Sequence, residues 1–412
     1  MILVSNILFL IIFFTLLFYY FKNFSYLITF IFPFAIFFGS YISFGGTAIH
    51  VAEIFTPLLL LKKPFAKKNY NQLDIIFFIF FILGFFNLTF NSPLNFLYLK
   101  TIIRFFEIMI VYFTYSKYGS IIKLHDIHKS FLSILILILI ISVFNLIFIS
   151  FYDSYAWMKL LIKLGYIPQN VESYGYLDSW SSNNSVQGNY LIEHQYGIML
   201  VSSFYLSLAR KNILITITTL FFLFFTIHST SVQISLVLSL LYYYSRYISF
   251  KIPLYLFVAL IIPFSMFKYY EDLNLIFNQI VYLFEYGKIV EVSSVFIRLN
   301  YLIEGFSHPK FNWLTGIGLN IFNYNINPHE MFTYFYFIYG LPCALIFILI
   351  FYNRFQKVYS NSSINYILKS YFLFSLIVSF GINYFTSIVT FFPFILFLNY
   401  TKFVDDKNCY NW

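Results

Sequence analysis

Residues 130–151 read SFLSILILILIISVFNLIFISF: 22 positions without one ionisable side chain. A helix needs roughly 20 mainly apolar residues to cross the hydrocarbon core of a bilayer, and this stretch meets that length. Similar runs fill the chain from end to end. The clearest are 2–21, 24–43, 74–92, 97–116, 189–209, 213–229, 231–246, 252–267, 331–352, 365–384 and 386–400. A further stretch, 47–61, is short and holds His50, Glu53 and Pro57, which leaves open whether it spans or completes its neighbour. The expectation is an all-α, polytopic integral membrane protein of about 12 transmembrane helices, forming a single membrane domain over residues 1–412.

Composition agrees. Of 412 residues 60% are hydrophobic, 25% aromatic and only 10% charged, against about a quarter charged in a soluble domain. That excludes a soluble globular protein, because so much apolar surface must face lipid. High hydrophobicity and two cysteines exclude a disordered chain and a disulfide-rich secreted one. Cys343 falls in a span and Cys409 in the tail, so they do not pair.

The formal charge of +9 is a topology signal and not a nucleic-acid footprint. Lys62, Lys63, Lys67, Lys68, Lys117, Lys123, Lys129, Arg210, Lys211, Arg246, Lys251, Arg354, Lys357, Lys369, Lys402 and Lys407 fall on one side if the spans alternate. They make 16 of the 25 Lys and Arg residues, and the positive-inside rule places that side in the cytoplasm. Residues 1–21 carry no charge and no small-residue cleavage site, and read as a retained span.

Two segments interrupt the spans, both on the outer side: 152–187 and 268–330. In the first, Trp157, Leu160, Leu161 and Leu164 recur at helical spacing opposite Lys159 and Lys163, and the run ends at Gly165 before Pro168. That pattern predicts an interfacial amphipathic helix. The stretch SYGYLDSWSSNNSVQGN, 173–189, suits sugar contacts by composition and equally suits a solvated loop. In the second, HPKFNWLTGIGLNIFNYNINPHEMF leads into the next span, with two glycines, several Asn and Pro marking irregular backbone.

Ionisable groups at membrane depth cost about 2.5–3.5 kcal/mol each on insertion scales, so each invites a functional reading. Arg104 and Glu107 lie three apart on one span and can neutralise each other. His50 and Glu53 read as packing or helix contacts. Glu193 and His194 sit at the outer mouth of a span, directly after the first loop. His228 to Gln233 read as a polar hairpin turn. The sharpest set is Arg298, Gly316, Gly318, His329 and Glu330. Arginine suits a diphosphate because its planar fork makes bidentate, permanently charged hydrogen bonds. His329 and Glu330 each suit a general base when partly desolvated.

Arg298, Pro309, Gly316-Ile-Gly318, then His329 opening a span that contains Gly340, resemble the C-terminal signature of the O-antigen polymerase and O-antigen ligase superfamily, the Wzy and WaaL type. The segment at Gly188, with Glu193 and Gly197, is similar to that family's segment after the first large outer loop. The chain departs from the pattern at Ser185-Val186-Gln187, where the family often has Arg, at Ser231-Val232, where it often has Ser-Arg, and at Glu330, where it often has Asn. Lys159, Lys163, Lys288 or Lys310 would compensate for the missing cations.

The resemblance implies a GT-C-like membrane glycosyltransferase in the bacterial inner membrane, with its active site facing the periplasm. It implies a glycan on undecaprenyl diphosphate as donor, a sugar hydroxyl of another lipid-linked repeat unit as acceptor, and neither metal nor cofactor. Arg298 would bind diphosphate; Arg104, by its place towards the outer end of its span with Lys100 and not by the resemblance, is the second residue assigned to that anion. Glu193, His194, Gly316 and Gly318 would contact substrate, and His329 or Glu330 would take the acceptor proton. Membrane lipids and a chain-length regulator are the expected partners, with no nucleic acid. A ligase passing glycan to lipid A-core shares the donor chemistry. A lipid-linked glycan flippase is the reading from another class, and the uneven loops and absence of repeat-related halves count against it.

Overall fold

The computed structural model describes residues 2–44, 47–65, 70–91, 96–118, 124–152, 154–164, 166, 193–209, 211–225, 229–245, 305–319, 331–357, 363–379 and 388–404. These residues are mostly helical. Among them, two helices are long and apolar enough to cross a membrane by length and composition, Gln72–Phe90 and Ser130–Phe151, and six shorter apolar helices accompany them.

The first helix, α1 (Ile2–Lys22), shows why the surface suits lipid. Phe9, Ile12, Leu16 and Tyr20 are buried, yet Ile7, Leu10, Ile11, Phe14, Phe18 and Phe21 are exposed on the opposite side. A helix apolar on every face gains nothing from water on its outer one.

The next helix, α2, spans Phe24–Phe38 and contains a π turn at Leu27–Ile31. Phe32 N–H bonds the Leu27 carbonyl, so the next π bond would need an N–H from Pro33, which has none. The Ile28 carbonyl is instead taken by the Tyr115 hydroxyl at 2.5 Å.

Gly39 then ends the helix in extended conformation, and a Cβ there would sit 2.1 Å from the Ala35 carbonyl. The expected span 24–43 therefore stops at Phe38, and the chain turns into an antiparallel hairpin, β1 (Tyr41–Phe44) with β2 (Thr47–His50), in which Tyr41 faces His50. This hairpin departs from the all-α expectation. It leads into the short helix α3 (Val51–Phe55) and a 3₁₀ helix at Thr56–Lys62. The 47–61 stretch is thus part strand, part short helix and part 3₁₀, and not one uniform helix.

Two further helices, α4 (Gln72–Asn91) and α5 (Phe96–Tyr118), pack on each other. The end of α5 closes the 3₁₀ helix: Lys117 Nζ donates to the Lys62 and Lys63 carbonyls at 3.1 and 2.8 Å, and the Tyr118 hydroxyl to Lys62 at 3.0 Å. Lys62 Nζ lies 4.7 Å above the Tyr20 ring. Lys62, Lys63 and Lys117, three of the 16 basic residues expected on one side, thus lie together.

Next come α6 (Leu124–Phe151) and α7 (Ser154–Leu164). The expected amphipathic helix in the first loop is present and packs on α1 and α6. Its buried face is Trp157, Met158, Leu161 and Ile162, while Leu164 is exposed, so the helix is rolled partly away from the Leu160 and Leu164 side.

At the centre stands α8 (Glu193–Ala209), packed by α6, by α9 (Ile213–Phe225), by α10 (Thr230–Ser245), by α13 (Ser363–Val378) and by α14 (Ile388–Val404). Hydroxyl pairs join these helices: Tyr196 with Ser142, Tyr205 with Ser239, and Tyr371 with Ser202 at 3.2 Å. Such contacts are what hold apolar helices in register where the hydrophobic effect is weak. In α14, Phe391 to Leu398 are all buried, and Phe397 stacks on Tyr371 at 3.6 Å. Gln233 Nε2, in the first turn of α10, donates to the Leu223 carbonyl of α9 at 3.0 Å and ties the two helices together; His228 of the expected polar turn lies outside the described residues.

The expected span 331–352 is broken. It consists of α11 (Met331–Tyr339) and α12 (Leu341–Lys357), separated by Gly340 at φ +83°. The Phe335 and Phe347 ring centroids are 4.7 Å apart, whereas 12 residues of continuous helix would separate them by about 18 Å. The short helix α11 folds back alongside α12.

Candidate functional site

The site is organised by a charge inside an apolar helix. Arg104 lies eight residues into α5, about 12 Å from its start. Its Nε donates to Glu53 Oε1 at 2.9 Å. The sequence reading paired Arg104 with Glu107, and the structure corrects that: the bonded partner is Glu53, with Glu107 acting on Arg104 only as a nearby charge. Helical side chains lean towards the N-terminus of their helix, which carries the guanidinium away from Glu107, one turn further on.

Glu53 is held by the start of α3. Its Oε2 accepts the His50 backbone N–H at 2.9 Å, and His50 Nδ1 accepts the Ala52 N–H at 3.2 Å. The two residues form a reciprocal capping box. With Nδ1 accepting and the ring also bonded to the Gly39 backbone, His50 is a neutral, fully occupied cap and not a base awaiting substrate. Its ring packs edge-on against Tyr41 at 4.8 Å. The packing role expected for His50 and Glu53 is present, and Glu53 has in addition the counter-charge role.

The Arg104 side chain remains 34% exposed, and no described residue bonds its Nη groups. One edge of the fork is fixed and the other is open. Beside it stands α11: the Phe105 ring stacks on Tyr339 at 5.2 Å, and Tyr334 lies within electrostatic reach of Arg104. Asn87 Nδ2 on α4 donates to the Tyr339 carbonyl, fixing the end of α11 from the other side.

The loop 305–319 is fastened to the same helix end by backbone bonds. Ile317 N–H donates to the Phe337 carbonyl at 2.6 Å, and Leu341 N–H to the Trp313 carbonyl at 2.8 Å. Gly316 and Gly318 have φ of +72° and +70°, a region that side chains disfavour. A Cβ on Gly316 would come 2.4 Å from the Phe337 carbonyl, and one on Gly340 would come 2.1 Å from that of Leu314. Gly316 and Gly340 thus let two backbones touch, and they bring the loop to the helix whose Tyr334 lies within electrostatic reach of Arg104.

No protein-family model matches the chain, and no curated protein does.

Of the sequence-derived site residues, the structure gathers Arg104, Gly316 and Gly318 around α11. Glu193 and His194 open α8, with their side chains outside the described residues. Arg298, His329 and Glu330 also lie outside them, as does most of both long loops. Glu53 as the partner of Arg104 was missed in sequence, although a lone acid in an apolar stretch signals that a cation is near.

Proposed function

We propose that the protein is a polytopic enzyme of the bacterial inner membrane, of about 12 spans, that polymerises lipid-linked oligosaccharide repeat units at the periplasmic face. The observation that carries this reading is Arg104: a guanidinium within an apolar helix, braced on one edge by Glu53 and open on the other. A braced, permanently charged fork suits a diphosphate, whose oxygens accept two parallel hydrogen bonds.

In the proposed reaction, undecaprenyl diphosphate leaves from the anomeric carbon while Arg104 and Arg298 hold it and offset the growing negative charge. A sugar hydroxyl on the acceptor repeat unit attacks from the opposite face, which inverts the anomeric centre. His329 or Glu330 accepts the hydroxyl proton, a contribution of about 10²–10⁴ in rate. Both directly precede α11, and Glu330 is four residues from Tyr334, the side chain within reach of Arg104. Glu193, His194, Gly316 and Gly318 are assigned to the substrate cleft. The reaction needs no metal or cofactor, and a chain-length regulator would act on the membrane domain.

The test is reconstitution in proteoliposomes with a defined undecaprenyl-diphosphate repeat unit. A ladder of products, lost in His329→Ala and reduced at least tenfold in Arg104→Met at equal protein level, supports the proposal. Transfer only to added lipid A-core would make the protein a ligase. Movement of the intact lipid-linked unit between leaflets without new glycosidic bonds would make it a flippase.

A further inference from the structure

Two adjoining cavities lie between α1, α2 and α6. The first, of about 410 Å³, is lined by Asn23, Ser25, Thr29, Ser130 and Ser133 together with the ring edges of Tyr26 and Phe30. The second, of about 470 Å³, is almost wholly apolar, with Leu8, Ile11, Phe34, Leu137 and Ile141 among its walls. Phe30 lines both, so the two lie side by side along α2 and α6.

The polar part holds donors with no acceptor. Ser130 is 3% exposed, and its Oγ has no hydrogen-bond partner. That is costly for a buried hydroxyl, and a helical serine ordinarily relieves it on the carbonyl four residues back. Asn23 uses Oδ1 to accept the Tyr26 N–H, while its Nδ2 has no partner among the described residues, and nor has Ser25 Oγ. Thr29 Oγ1, by contrast, already donates to the Ser25 carbonyl at 2.8 Å. One buried donor, Ser130, and two exposed ones, Asn23 and Ser25, therefore line a space that adjoins an apolar groove. That calls for an amphipathic ligand whose head is rich in acceptor oxygens.

Length and polarity select among such ligands. From Ser130 to Ile141, α6 borders the two cavities in turn over about 16 Å, close to the ~15 Å of one leaflet in a hydrocarbon core about 30 Å thick. One acyl chain fills that length. The polar end lies beside Lys22 and the Lys62–Lys117 cluster, where anionic headgroups are attracted. We infer that this pair of cavities is a seat for one membrane phospholipid from the leaflet at the basic end of the bundle: its phosphate or ester oxygens accept from Ser130, Asn23 and Ser25, and one acyl chain lies along α6. The seat is separate from the proposed reaction, whose donor must present its diphosphate at the Arg104 end.

The test is native mass spectrometry of the detergent-purified full chain after stepwise washing. Wild type should retain one phospholipid. Ser130→Ala should retain it about fivefold less, and Leu137→Trp, which fills the apolar groove, at least tenfold less. Leu349→Trp, on the exposed face of α12, should match wild type and shows that an added indole alone does not strip lipid. Melting temperature checks that each variant is folded, and Ser130→Ala, the smallest change, decides the matter if Leu137→Trp is not. Equal retention in wild type and Ser130→Ala, no phospholipid on wild type, or a polyprenyl phosphate as the retained species would each overturn the inference.

Discussion

Arg104 and Glu53 stand 51 positions apart in the chain and meet at 2.9 Å between Nε and Oε1. Glu53 simultaneously caps α3 through the His50 N–H, so one carboxylate fixes both a helix start and the orientation of the only cation in α5 between Lys100 and Lys117.

Removing that carboxylate should therefore act on both. Glu53→Gln is expected to destabilise the protein by about 2–4 kcal/mol, towards the lower end of the range for a broken buried pair, because Arg104 is a third exposed and partly screened. In a double-mutant cycle with Arg104→Met, unfolding in mixed micelles should show a coupling of about 1–3 kcal/mol. Strict additivity would mean the pair contributes nothing.

Gly340→Ala should detach the loop from α11. Its φ of +83° and a Cβ placed 2.1 Å from the Leu314 carbonyl combine backbone strain of about 1–2 kcal/mol with a clash that only backbone movement relieves. Hydrogen exchange at the Ile317 and Leu341 amides, which bridge loop and helix, should speed up at least tenfold. Unchanged protection at both amides would show that the loop is held elsewhere.

Tyr115→Phe removes one oxygen from a well-packed site. The Ile28 carbonyl, left without a helical partner by Pro33, then loses its substitute. A loss of about 1–3 kcal/mol, the cost of one buried unsatisfied acceptor, is expected in thermal unfolding. If Pro33→Ala offsets most of that loss by restoring a backbone donor, the link between the π turn and Tyr115 is established.

The hydroxyl pair Tyr205–Ser239 between α8 and α10 should be worth far less. Measured couplings of this kind in membrane bundles average about 0.6 kcal/mol. A cycle of Tyr205→Phe and Ser239→Ala read by unfolding should fall below about 1.7 kcal/mol, and a larger value would point to a network extending beyond the pair.

Much of the helical architecture was legible because apolar runs of fixed length have one low-energy solution when no water is present to satisfy the backbone. The amphipathic helix at Ser154–Leu164 was legible from its period, though not the exact roll that buries Met158 and Ile162. The hairpin at 41–50 was not legible, because Ile42, Phe44 and Ile49 read equally well as helix or strand in a short apolar run. Nor was the break at Gly340, since a glycine in a helical pattern is tolerated until another backbone, here that of Leu314, comes too close for a side chain.

By itself, then, the sequence determined the solvent this chain suits, the approximate places of its helices and the scarcity of its charge, since these follow from residue type and spacing along the chain. Only the tertiary structure decided which charges meet. Arg104 had an acid three residues away on its own helix, and its bonded partner is one 51 residues away, because side-chain direction and the folding back of the chain at Gly39 govern which atoms come within 3 Å.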